Sequence, residues 1–100
     1  MSYAVLRQAI VERKQVVCDY GGYPREICPH VIGMKNGREQ ALVYQFGGDS
    51  SSGLPKGGEW RCMPISGISN ATLRDGPWHS GTGHSQPQTC VDEIDVEVPY

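Results

Sequence analysis

A chain of 100 residues and 11.0 kDa accommodates one domain, since autonomous domains most often hold ~100–150 residues. That length excludes a two-domain enzyme, and an apolar fraction of 38% with a mean hydropathy of −0.42 leaves no margin for a large internal cavity, so a ligand site is expected as a surface groove. The net charge of −2 excludes strong non-specific affinity for nucleic acid or anionic membranes, but the charge is uneven: residues 1–61 carry eight basic and six acidic side chains, residues 62–100 one basic and five acidic. No apolar run reaches the ~18 residues of a membrane span, and the charged start MSYAVLRQAIVERK does not read as a signal peptide, so the expected location is cytoplasmic.

Val5, Leu6, Ala9 and Ile10 fall at helical spacing, which predicts an amphipathic helix over residues 3–14 with Ser2 as N-cap. β-Branched residues then predict a strand over 15–20, stopped by Gly21-Gly22, and a longer strand over 24–35 in which Pro29 marks an edge or a bulge. Asn36-Gly37 is a strong hairpin signal and leads into a third strand over 39–46. The Gly/Ser-rich stretch 47–58 reads as a mobile connection or a binding loop. Its backbone amides suit a phosphate, but no Gly-Lys-Ser/Thr helix start follows it.

Residues 59–63 read as strand four, 64–67 as a tight turn and 68–73 as strand five. The fold class expected is mainly β: an N-terminal helix followed by a small, strongly bent five-stranded barrel of the SH3 type over residues 1–73. Residues 74–90 read as a polar linker or disordered tail. Residues 91–100 form an acidic segment whose alternating Ile94, Val96 and Val98 would add a strand to an edge of this chain or of a neighbour. Cys18, Cys28, Cys62 and Cys90 are expected as reduced thiols packing as small hydrophobes.

The ordered set Leu6, Ala9-Ile10, Val16, Tyr20, Arg25-x-Ile27-x-Pro29-x-x-Ile32, the Asn-Gly turn, and Arg61-x-Met63-x-Ile65-x-x-Ile68 resembles the WYL domain over residues 4–73. The resemblance implies a bent Sm- or SH3-like barrel of the kind found mostly in bacterial transcription regulators and phage-defence proteins, sensing nucleic-acid or nucleotide ligands. The eponymous Trp-Tyr-Leu falls on Gln40-Ala41-Leu42, the family's phenylalanine on Met63 and its second arginine on Gly67. The regulators carry a winged helix-turn-helix ahead of this domain. The chain begins at the domain, so a stand-alone, divergent member that does not read promoter DNA is expected.

Arginines emerging among apolar side chains suit bidentate contacts to phosphate, and aromatic faces suit base stacking. Arg25 shares a predicted strand face with Ile27 and Val31, and Arg61 shares one with Met63. By the resemblance the ligand-binding residues are Tyr20, Arg25 and Arg61; strand position adds His30, Tyr44, Gln45 and Trp60. The competing reading pairs the arginines with Asp19, Glu26 or Glu59 as structural ion pairs and buries the aromatics.

Cys28, His30, His79, His84 and Cys90 supply zinc-type donors, but their spacing matches no usual zinc pattern, and no metal or cofactor is expected. A Cys28/His30 dyad or a Ser-His-Asp set drawn from Ser50 to Ser52, His79 and His84 lacks a supporting motif, so no enzyme is expected. The function expected is a non-enzymatic regulatory module binding a single-stranded nucleic acid segment or nucleotide. The alternative is a protein-interaction or homo-oligomerisation module using the strand edge and C-terminal segment. Asp92, Glu93, Asp95, Glu97 and Tyr100 suggest further that this tail occupies the arginine groove and competes with the ligand.

Overall fold

The helical spacing of Leu6, Ala9 and Ile10 buries these three side chains together on one face of α1 (Ser2–Glu12). The helix ends two residues earlier than its apolar pattern suggests. Arg13 takes a left-handed conformation (φ 56°) and the Lys14 amide donates to the Ala9 carbonyl at 3.0 Å, the 6→1 bond of a Schellman ending. Ser2 does not cap α1; its hydroxyl donates to the Ile68 carbonyl at 3.0 Å and pins the helix to the sheet. The computed structural model describes residues 2–48, 58–80 and 89–98.

The strands are β1 (Gln15–Tyr20), β2 (Tyr23–Lys35), β3 (Arg38–Gly48), β4 (Glu59–Pro64), β5 (Ile68–Arg74) and β6 (Glu93–Glu97), with a one-turn 3-10 helix, Ile65–Gly67, between β4 and β5. All pair antiparallel in the order β4-β3-β2-β1-β5, and β6 joins β2. The Asn36-Gly37 turn forms as expected, both residues at positive φ (52° and 78°). The two outer strands β4 and β5 are consecutive in sequence and linked by three residues, so the sheet curls until its edges adjoin at that end. They share no ladder, and the sheet is open.

Pro29 has no amide hydrogen to donate, yet it lies in the central strand. It fits because β1 pairs with β2 over residues 23–27 and β6 over 31–34, which leaves Pro29 in the gap between them. The register against β3 also shifts between Pro29 and Val31. This bulge changes the phase of β2: Ile27 and Ile32 both enter the main core with Leu6, Val16, Val43 and Met63, whereas Val31 packs with Leu42, Cys90 and Val91 in a second cluster. The expectation that Arg25, Ile27 and Val31 share one face fails for that reason.

The acidic segment adds its strand within the same chain. Two of its carboxylates are engaged away from Arg25 and Arg61: Asp95 accepts from Tyr3 (2.7 Å) and Arg7 (3.0 Å), and Asp92 pairs with Lys35 (3.1 Å). Occupation of the arginine groove by this tail is therefore not what the structure shows; Tyr100 lies outside the described residues. Two further links fasten the segment. Asp92 donates its amide to the Met34 carbonyl at 2.9 Å, and Cys90 is disulfide-bonded to Cys62 on β4, with Cα atoms 5.8 Å apart. This pairing corrects the expectation of four reduced thiols; Cys18 and Cys28 are free and buried. No helix among the described residues is long and apolar enough to cross a membrane.

Candidate anion-binding cleft

Cross-strand register decides which side chains of β4 face inward. Arg61 lies opposite Val43 and Met63 opposite Ala41, and all of these but Arg61 belong to the main core, so Arg61 points from the core side of β4 while Trp60 and Cys62 point away. On β2, Arg25 precedes the core residue Ile27 by two positions and lies on the same side. These inward side chains border a cleft of about 350 Å³ lined by Tyr20 at the end of β1, Arg25 on β2 and the β4 residues Glu59, Trp60, Arg61, Cys62 and Met63.

Arg25 is 5% exposed. Its Nη1 donates to Gln45 Oε1 at 3.2 Å, its guanidinium carbon stands 4.9 Å from the centre of the Tyr20 ring, and its buried Nε has no hydrogen-bond partner. Among the described residues it makes no ion pair. Gln45, fully buried, spends its own amide on the Gly47 carbonyl (3.0 Å), which fixes the oxygen that Arg25 uses. The Tyr20 ring reaches its place because Gly67 has no side chain: a Cβ there would stand 2.8 Å from a ring carbon. The position at which the WYL comparison sets a second arginine is thus packed against the first aromatic of the cleft.

Arg61 is held by Glu59, Nη2 to Oε2 at 2.7 Å. The ion-pair reading of the arginines is therefore met at Arg61 and not at Arg25: Glu26 pairs with Arg74 at 2.7 Å, and Asp19 accepts from Asn70 at 2.8 Å. Glu59, Cys62 and Met63 complete the lining and were not among the expected site residues. For Glu59 and Met63 the signal was strand alternation, which sets 59, 61 and 63 on one face.

The residues added from strand position separate. Tyr44 and His30 pack against Trp60, with ring centres 5.1 and 4.7 Å from it, both edge-on. His30 is fully buried, donates from Nδ1 to the Cys28 carbonyl (2.7 Å), and meets Trp78 at 4.9 Å on its other flank. Neither residue lines the cleft. The Cys28 thiol accepts from the His79 amide at 3.3 Å, and burial pushes its pKa up. Burial likewise pushes the Cys18 thiol up to about 11, so neither thiol is set up as a nucleophile. No group of three or more metal-ligating side chains occurs among the described residues; His84, Ser50 to Ser52 and most of the Gly/Ser loop lie outside them.

A second depression, about 490 Å³, is lined by Arg38, Glu39, Gln40, Pro64, Ile65 and Ser66. It holds no buried charge, so the 350 Å³ cleft is the better candidate site. No protein-family model, no curated protein and no solved structure matches the chain.

Proposed function

We propose that this chain is a non-enzymatic, regulatory ligand-binding module of the WYL type, a bent SH3/Sm-like barrel whose open seam receives a nucleotide or a short single-stranded nucleic acid segment. The strand order supports the barrel reading, because the first and last strands of the five-stranded path are joined by a three-residue turn. The observation that carries the ligand reading is Arg25. A guanidinium that is nearly fully buried, lacks a carboxylate among the described residues and keeps an unbonded Nε is arranged for an anion supplied from outside. Tyr20 beside it offers an aromatic face, and Arg61 adds a second cation at the mouth. At 350 Å³ the cleft is at the small end of ligand sites, ~300–1,000 Å³, which suits one nucleotide unit.

The alternative, a partner-docking or self-associating module, has less to work with, because β6 uses one edge on its own chain; its other edge and the exposed Ile94 remain for a partner. Fluorescence anisotropy of labelled mixed-sequence single-stranded RNA and DNA, titrated at low and physiological salt, tests the reading. Binding is expected at low salt, weakened at physiological salt, and lost in a folded Arg25→Ala/Arg61→Ala variant. Salt-insensitive binding that survives the double substitution places the ligand elsewhere.

A further inference from the structure

We infer that the cleft recognises a phosphomonoester, the phosphorylated end of a nucleotide or strand, in preference to the internal phosphodiesters of a chain. This rests on the anion-binding reading of the same site and narrows it. Because Nη1 of Arg25 is committed to Gln45, the side of the guanidinium left for a ligand is the one bearing Nε and Nη2. Those two N–H groups form a parallel fork that matches two oxygens of one phosphate.

The fork stands deep. Arg25 is 5% exposed, its Nε is closed to solvent, and the residue borders a 350 Å³ cleft lined by Tyr20 and by Glu59 to Met63, so a ligand reaches the fork only as that lining parts. An internal phosphodiester carries a sugar on each side, and both would have to follow it down. A terminal phosphate has one ester arm and three free oxygens, so it can enter while its nucleoside stays at the mouth beside Tyr20.

Charge favours the same end group. A phosphomonoester carries about −1.5 to −2 at pH 7, more than a single diester. Arg25 and Arg61 supply two positive charges to the cleft, and Glu59, 2.7 Å from Arg61, supplies one negative charge near the mouth. One doubly charged group fits beside Arg25, whereas a run of phosphates laid across the mouth meets the Glu59 carboxylate.

The test uses the full chain at low salt and one mixed-sequence pentanucleotide in three forms: 5′-phosphorylated, 3′-phosphorylated, and hydroxyl at both ends, the fluorophore sitting on the opposite end or on a central base. Adenosine 5′-monophosphate and adenosine serve as competitors. At least one phosphorylated form is expected to bind about ten- to hundredfold more tightly than the hydroxyl form. The monophosphate should displace it where adenosine does not. In Arg25→Met the preference should shrink to less than about twofold, with Gln45→Leu added to spare that amide an empty partner.

Should these variants not fold, the wild-type comparison decides alone. Equal affinity for phosphorylated and hydroxyl ends overturns the phosphomonoester inference and leaves the anion cleft standing, whereas a preference that persists in folded Arg25→Met takes the phosphate off Arg25 and overturns both. Absence of binding for every probe overturns the anion reading and this inference with it.

Discussion

Replacing Gly33 with alanine isolates what holds the C-terminal segment to the domain. Gly33 is fully enclosed in β2, opposite Ile94, and an added Cβ would stand 1.9 Å from the Glu93 carbonyl oxygen and 2.8 Å from Val91 Cγ1. To restore even 3.0 Å the β6 backbone would have to retreat by about 1.1 Å, enough to break the adjoining bonds, among them Asp92 to Met34. Two such bonds at ~0.5–1.5 kcal/mol each, with partial exposure of Val91 and Val96 at roughly 1 kcal/mol, give a cost of about 2–4 kcal/mol. In urea, with m of ~1–3 kcal/mol per molar, the midpoint should fall by roughly 1–2 M. Hydrogen exchange should quicken at the amides of Asp92 and Val98, the latter bonded to the His30 carbonyl at 2.7 Å. The backbone at Gly33 is not left-handed, so once β6 is deleted by truncation after Thr89 the same substitution should be neutral or slightly stabilising. A cost below about 0.5 kcal/mol with both amides still protected refutes the close approach. An equal cost in the truncated chain shows that β6 is not its source.

Reduction, or Cys62→Ser, opens a link spanning 28 residues, for which the chain-entropy relation gives about 3–4 kcal/mol; a urea midpoint indifferent to reductant contradicts the Cys62–Cys90 pairing. The contact between α1 and β6 predicts losses of stability at both ends of the pH scale. Tyr3 first, then Arg7, hold the Asp95 carboxyl below its ordinary value, so that contribution is present at neutral pH and lost as pH falls below about 4. Burial first, then the bond to Asp95, push Tyr3 from 10.0 up to about 12, so its contribution is complete below pH 10 and lost between 10 and 12. Urea midpoints at pH 3, 7 and 11 for wild type and Tyr3→Phe/Asp95→Asn should differ most at neutrality and draw closer at both extremes; parallel curves refute the linkage.

The elements written in local chemistry were legible. β1 spans Gln15–Tyr20, the bounds read from Val16-Val17 and the Gly21-Gly22 stop, the Asn36-Gly37 hairpin forms, and Pro29 marks a bulge. What the chain does not write locally is which edge a strand meets. The alternation at Ile94, Val96 and Val98 announces a strand, but not that it fills the stretch of β2 beyond β1. Composition also hid the residues after β5: Trp78 sits in a polar run yet packs against the core, and Gln15 Nε2 donates to the Pro77 carbonyl at 2.6 Å to hold that run down. At the site, Tyr20, Arg25 and Arg61 come together. His30 and Tyr44 were placed by unbroken alternation, which the bulge after Pro29 ends for β2 and which, on β3, sets Tyr44 opposite Trp60 on the side away from Arg61. The Cys62–Cys90 pairing depends on how the two clusters stack, which spacing cannot express.

The energetic cost of the cleft explains why the rest of this small fold is so firmly tied. A buried donor left without an acceptor costs ~1–3 kcal/mol, and the desolvated guanidinium of Arg25 adds to that; the whole stability of such a domain is ~5–15 kcal/mol. A methionine of similar length would remove the cost, and on the anion-binding reading proposed above a ligand that bonds to Nε would turn the liability into binding free energy. β4 has no ladder on its outer side, where it would otherwise be secured. The compensation comes from behind: the Cys62–Cys90 bond ties β4 to a segment that is itself laddered to β2, at about 3–4 kcal/mol, the same order as the loss. Cutting that bond should therefore loosen β4, and with it Arg61, before it disturbs Arg25, which β2 holds between β1 and β3.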